Sequence, residues 1–146
     1  MAKFEIQKLK YGYAGGIFSY STSISGIIFE EGDAIVTLPA SYEGEGITHL
    51  AYGQNFEPAH EEWADWHHPS KGTDYVPDKY YHSFLTFVVP EHVKKIVIPA
   101  SIRDICYCAF KLLGDTKFEV DPENTVYTTD EKGEITRRKQ KNNGNG

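Results

Sequence analysis

Residues 88–105 are two consecutive copies of one nine-residue unit, and that repetition constrains the fold more than any other feature of the chain. The copies read Val-Val-Pro-Glu-His-Val-Lys-Lys-Ile and Val-Ile-Pro-Ala-Ser-Ile-Arg-Asp-Ile, and seven of the nine positions keep their chemical character. Val88/Val97, Val89/Ile98, Val93/Ile102 and Ile96/Ile105 are apolar in both, with Pro90 and Pro99 in register; His92/Ser101 and Lys95/Asp104 stay polar. A β-branched pair, a proline corner and apolar residues three apart spell a strand, a turn and a second short strand. A unit this small cannot bury its own apolar face and must stack on a neighbour. A looser third copy begins at Thr37-Leu38-Pro39-Ala40-Ser41, is interrupted by a turn at Glu43-Gly44-Glu45-Gly46, and resumes at Ile47-Thr48-His49-Leu50.

The flanking sequence is also strand-like. Residues 4–29 suggest strands broken at glycines, with Gly12 and Gly15-Gly16 as punctuation and an apolar run from Ile24 to Phe29. Glu30-Glu31-Gly32-Asp33 has the composition of a hairpin turn leading into Ala34–Leu38, and Pro39 ends that strand because it cannot donate to a ladder.

Around the repeat, Ile98-Pro99-Ala100-Ser101-Ile102-Arg103-Asp104-Ile105-Cys106-Tyr107-Cys108-Ala109-Phe110 resembles the leucine-rich repeat of the bacterial surface-antigen (BspA-like) type, whose consensus runs Ile-Pro-x-Ser-Val-x-x-Ile-Gly-x-x-Ala-Phe. The stretch from Glu119 to Gly133, with Val120-Asp121, Asn124, Tyr127 and Asp130, is similar to the segment that follows in that family. The likeness is good over residues 88–133, partial over 35–56 and absent over 57–83. Cys106 stands where the family prefers Gly, and the repeats at both ends are irregular in length. The resemblance implies a mainly-β, short leucine-rich-repeat-like solenoid with irregular terminal repeats, capped by the N-terminal strands. It implies a surface presented to another macromolecule and no catalytic residues or cofactor, since the family motif consists of packing positions.

Residues 57–83 form an insertion in this pattern. Pro58 suits a first helical turn and Pro69 would stop it, which predicts a short helix of about ten residues between them. On that helix Glu61, Asp65 and His68 share a face. They read as acidic residues complementing the helix dipole with His68 at its end; the competing reading is a divalent metal site with hydrolytic chemistry. Trp63, Trp66, Tyr80 and Tyr81 make this the densest aromatic stretch of the chain. Such rings either cover the open end of a small core or form a binding surface, and these four residues are the candidate partner-binding set. A protein partner is the expected ligand; a glycan stacking on the same rings is the alternative. His49 and His92 are expected on exposed faces of the repeats, with no role.

Charge narrows the partners. The chain carries 15 basic and 21 acidic residues, a net charge of −6, and the acidic excess lies before Glu131. An acidic body repels phosphate backbones and argues against nucleic acid. The basic stretch Arg137-Arg138-Lys139-Gln140-Lys141 suggests that 134–146 is a solvated tail following a single domain over 1–133. Two cysteines, Cys106 and Cys108, exclude a disulfide framework and a four-thiolate zinc site, and are expected as buried or half-buried free thiols. No apolar run is long enough to span a bilayer. The N-terminal sequence has no signal-peptide pattern, so the chain as written reads as cytoplasmic, or as secreted or surface-exposed if a leader has been removed. An exposed strand edge would also permit a homo-oligomer.

Overall fold

The computed structural model describes residues 1–12, 18–54 and 82–139. Its regular elements are fifteen β-strands, and no helix occurs among the described residues. β1 (Lys3–Gly12) and β2 (Phe18–Ile28) form a long antiparallel hairpin, with Lys3 opposite Ile28 and a bulge between Glu5 and Ile6. β1 ends at Gly12 as expected, but β2 runs through Gly26 without a break. The Glu5 side chain folds over Gly26 beside the bulge, and the glycine continues the strand rather than ending it.

The far edge of β2 pairs in parallel with β6 (His49–Leu50), which pairs in parallel with β11 (Asp104–Ile105). A second sheet joins β3 (Ile35–Thr37), β10 (Lys95–Ile98) and β13 (Lys117–Val120) in parallel, with β10 in the middle. β9 (Phe87–Val89) pairs in parallel with β12 (Phe110–Leu112). Three small antiparallel ribbons complete the set: β4 (Ser41–Tyr42) with β5 (Glu45–Gly46), β7 (Tyr52–Gln54) with β8 (His82–Phe84), and β14 (Tyr127–Thr129) with β15 (Ile135–Arg137).

The mainly-β expectation fits these elements, but the solenoid does not. The strands divide among six separate sheets, and the two consecutive nonapeptides do not stack on each other. The first copy enters through β9, which pairs with β12, while β10 straddles the junction between the copies and pairs with β3 and β13. The reason is the two-residue period of a strand. Ile96 closes one copy and Ile98 lies within the next, yet both point into the core from one continuous strand. The helix expected between Pro58 and Pro69 lies outside the described residues; the last two residues of that insertion, His82 and Ser83, belong to β8. Glu30–Asp33 is a turn closed by the Asp33 amide on the Glu30 carbonyl at 3.1 Å. It is not a hairpin turn, because β2 and β3 join different sheets.

The repeat survives as local geometry. The Val93 amide donates to the Pro90 carbonyl at 3.1 Å, and the Ile102 amide donates to the Pro99 carbonyl at 3.4 Å. Equivalent positions Leu38, Val89 and Ile98 are buried, as are Ile47, Val93 and Ile102. With Ile24, Leu50 and Ile96 they form the core, each side chain contributing about 1.5–3 kcal/mol by leaving water.

One polar residue lies deep in this core. Asn124, 1% exposed, donates through Nδ2 to the Pro99 and Ile102 carbonyls, and its Oδ1 accepts from the Val126 and Tyr127 amides, all at 2.8–3.0 Å. Every bonding position of the amide is used, which is what makes its burial tolerable. The Arg138 guanidinium donates to the Asn124 carbonyl at 2.7 Å, so the basic stretch expected to be a tail from 134 begins inside the fold, with β15 and Arg138 both anchored. No helix among the described residues is long and apolar enough to cross a membrane.

Candidate recognition site

The β7–β8 ribbon flanks the segment that carries the candidate residues chosen from the sequence. Gln54 and His82 are register partners, so the ribbon holds both ends of residues 55–81 side by side. Trp63, Trp66, Tyr80 and Tyr81, and the Glu61/Asp65/His68 set, all lie in that segment, outside the described residues. What is described is the base from which the segment springs.

That base is aromatic. Tyr52 on β7 meets Phe84 on β8 edge to face, with centroids 5.9 Å apart, and Phe84 meets Tyr107 in the same way at 5.9 Å. On its other side Tyr52 meets the His49 imidazole at 5.7 Å. T-shaped pairs of this kind add about 0.5–1.5 kcal/mol each beyond area burial. Yet Phe84 is 60% exposed and Tyr107 is 88% exposed. These rings therefore hold one another in place while leaving their faces in water.

A polar cluster lies against the same rings. The Tyr52 hydroxyl donates to Asp104 Oδ1 at 2.8 Å, and the second carboxylate oxygen is 3.9 Å from His49 Nε2. The Thr48 hydroxyl lies 2.8 Å from His49 Nδ1. Burial pushes the His49 imidazole below its ordinary range, and the Asp104 charge opposes this only in part. His49 is thus neutral at pH 7. Burial, aided by the hydrogen bond to Asp104, pushes the Tyr52 hydroxyl far up, so it remains a proton donor. Hydroxyl, imidazole and carboxylate stand in the order a nucleophilic relay would need. However, 3.9 Å exceeds a hydrogen bond, and Asp104 spends its short bond on Tyr52. The imidazole is not oriented as a base by this carboxylate.

His49 and His92 differ from expectation. The His49 side chain is largely buried among these neighbours, and His92 Nε2 donates to the Glu30 carbonyl at 2.7 Å. The cluster of His49, Tyr52 and Asp104 was not singled out from the sequence, although a signal for it existed. In the repeat, Ile47-Thr48-His49-Leu50 aligns with Ile102-Arg103-Asp104-Ile105. The parallel pairing of β6 with β11 then sets His49 opposite Asp104 and Leu50 opposite Ile105.

Elsewhere, an open cleft of about 290 Å³ is walled by Cys106, Tyr107, Phe110, Phe118, Tyr127 and Ile135. Arg137 stands over the Tyr127 ring at 5.2 Å. No group of three or more His, Cys, Asp or Glu side chains able to hold a metal ion occurs among the described residues. Comparison of the chain with protein-family models, with curated proteins and with solved structures returned no match.

Proposed function

We propose that the chain is a non-catalytic recognition module that binds a protein partner through the aromatic surface of the β7–β8 ribbon and the segment it carries. The observation behind this reading is the Tyr52–Phe84–Tyr107 run beside residues 55–81, in which Phe84 and Tyr107 are exposed. Solvent-facing rings held by one another are preorganised, which reduces the entropy lost on binding, and Trp and Tyr dominate binding hot spots. Residues 57–83 carry six acidic and two basic residues, so the complementary partner surface is basic.

The test begins with native mass spectrometry of the protein isolated gently from its own cells, to identify a bound second polypeptide by mass. Affinity for that polypeptide is then measured for Trp63→Ala/Trp66→Ala and for Phe84→Ala/Tyr107→Ala. Each double variant is expected to bind about 10–100-fold more weakly, with unchanged circular dichroism. Unaltered affinity in both would sink the proposal. Displacement of the partner by oligosaccharides would move the reading to a glycan-binding module using the same rings.

A further inference from the structure

The two cysteines are not separate features. Cys106, Tyr107, Cys108 and Ala109 form a turn closed by the Ala109 amide on the Cys106 carbonyl at 3.0 Å, and the two Sγ atoms are 3.2 Å apart. On an extended strand, residues two apart share a face but are held away from each other; the turn brings their sulfurs into contact. The two thiols differ in surroundings. Cys106 is 2% exposed and sits at the wall of the apolar cleft, whereas Cys108 is half-buried and donates to the Leu85 carbonyl at 3.4 Å.

We propose that Cys106 and Cys108 are a reversible dithiol–disulfide pair, oxidised within the folded protein by low-molecular-weight disulfides. The more accessible Cys108 thiolate attacks one sulfur of the reagent, forming a mixed disulfide and expelling the first reagent thiolate. Cys106 then attacks Cys108 Sγ, and the second reagent thiolate leaves with the Cys106 proton as the Cys106–Cys108 bond closes. Two electrons and two protons leave the protein, and one reagent disulfide becomes two thiols. The order of attack follows the surroundings. Hydrogen bonds from the Cys106 thiol and the Thr86 hydroxyl hold Cys108 below the ordinary thiol range, and burial pushes Cys106 up.

The pair is placed where its state reaches the exposed rings. Tyr107, the residue between the cysteines, packs on Phe84, and Cys108 is bonded to Leu85, the next residue along. Closing the disulfide removes the thiol proton that Cys108 donates to Leu85 and tightens the turn beneath Tyr107. The oxidation itself does not depend on the proposed recognition role.

The experiment equilibrates the full folded chain in glutathione buffers from reduced to oxidised, quenches with an alkylating reagent, and reads intact mass and peptide maps. The expected product is two hydrogens lighter, takes up no alkyl group, yields a cross-linked Cys106–Cys108 peptide, and returns to the dithiol with dithiothreitol while the strand signal in circular dichroism is unchanged. Cys106→Ser should stop at a glutathione adduct on Cys108. Because Cys106 lies in the core, the fold of that variant is checked separately, and the wild-type titration stands without it. A glutathione adduct as the wild-type endpoint, thiols that stay alkylatable throughout, or a disulfide that forms only with loss of strand signal would each overturn the proposal.

Discussion

Two tyrosines on neighbouring parts of the molecule use the same hydroxyl chemistry for opposite ends. Tyr127 is buried, and its oxygen accepts from the Ile105 amide at 2.8 Å, next to Asn124 with its full set of bonds. Tyr52 is half-buried and donates to Asp104, the residue just before Ile105, whose side chain is 46% exposed. At Asn124 and Tyr127 the polar bonds described all close within the chain, so the group acts as an internal brace. In the cluster of Tyr52, His49 and Asp104 the Asp104 carboxylate still faces water. Adjacent residues of one strand thus belong to a support on one side and to a presentable surface on the other. The difference lies in solvent access rather than residue type.

That contrast can be broken at graded cost. Asn124→Ala removes both donors and the acceptor for two backbone amides at a site 1% exposed; it should destabilise the fold by about 3 kcal/mol or more. Urea unfolding with an unchanged slope would measure it, and a loss under 1 kcal/mol would mean the corner is not a brace. Tyr127→Phe orphans the Ile105 amide, removes the longer contact from the Arg137 guanidinium at 3.5 Å, and should cost about 1–2 kcal/mol. Tyr52→Phe should cost less than Tyr127→Phe, because Asp104 turns to solvent when its partner is lost. If the two phenylalanine variants are equally destabilised in the same titration, the distinction between brace and surface fails.

The smallest expected effect is pH dependence at His49. Burial lowers its folded pKa beneath the ordinary 6.5, so the unfolded chain binds the proton first on acidification. Its stabilising contribution is complete above about pH 6.5 and is lost as pH falls through the depressed folded value. Unfolding free energies of wild type and His49→Gln between pH 7.5 and 5 should converge toward the acidic end. Parallel curves would show that the histidine does not titrate as its surroundings indicate.

Much of the local structure was legible without coordinates. The proline corners close as the repeat predicts, the two cysteines are free thiols, and the repeat's apolar residues Leu38, Ile47, Val89, Val93, Ile96, Ile98 and Ile102 are core, whereas Val88 is half exposed. These follow from properties carried within a few residues: fixed proline φ, alternation along a strand and the cost of exposing β-branched side chains. The four aromatic residues chosen as partner-binding candidates lie outside the described residues, whereas Phe84 and Tyr107, which carry the described surface, were not chosen. Tyr107 stands at an unspecified position of the repeat motif and Phe84 lies outside it, and exposure is not written in residue type.

By itself the sequence determined the strand-and-turn alphabet, the packing positions and the acidic, aromatic character of residues 57–83. Only the tertiary structure decided which strands pair: that β10 lies between residues 35–37 and 117–120 instead of stacking nonapeptide on nonapeptide, that His49 faces Asp104, and that the two sulfurs meet on a turn. The physical reason is that local patterns set which face of a strand is buried, while many parallel partners satisfy its backbone equally well. The choice among them is made by burial of the whole core at once, a quantity no short window of sequence contains.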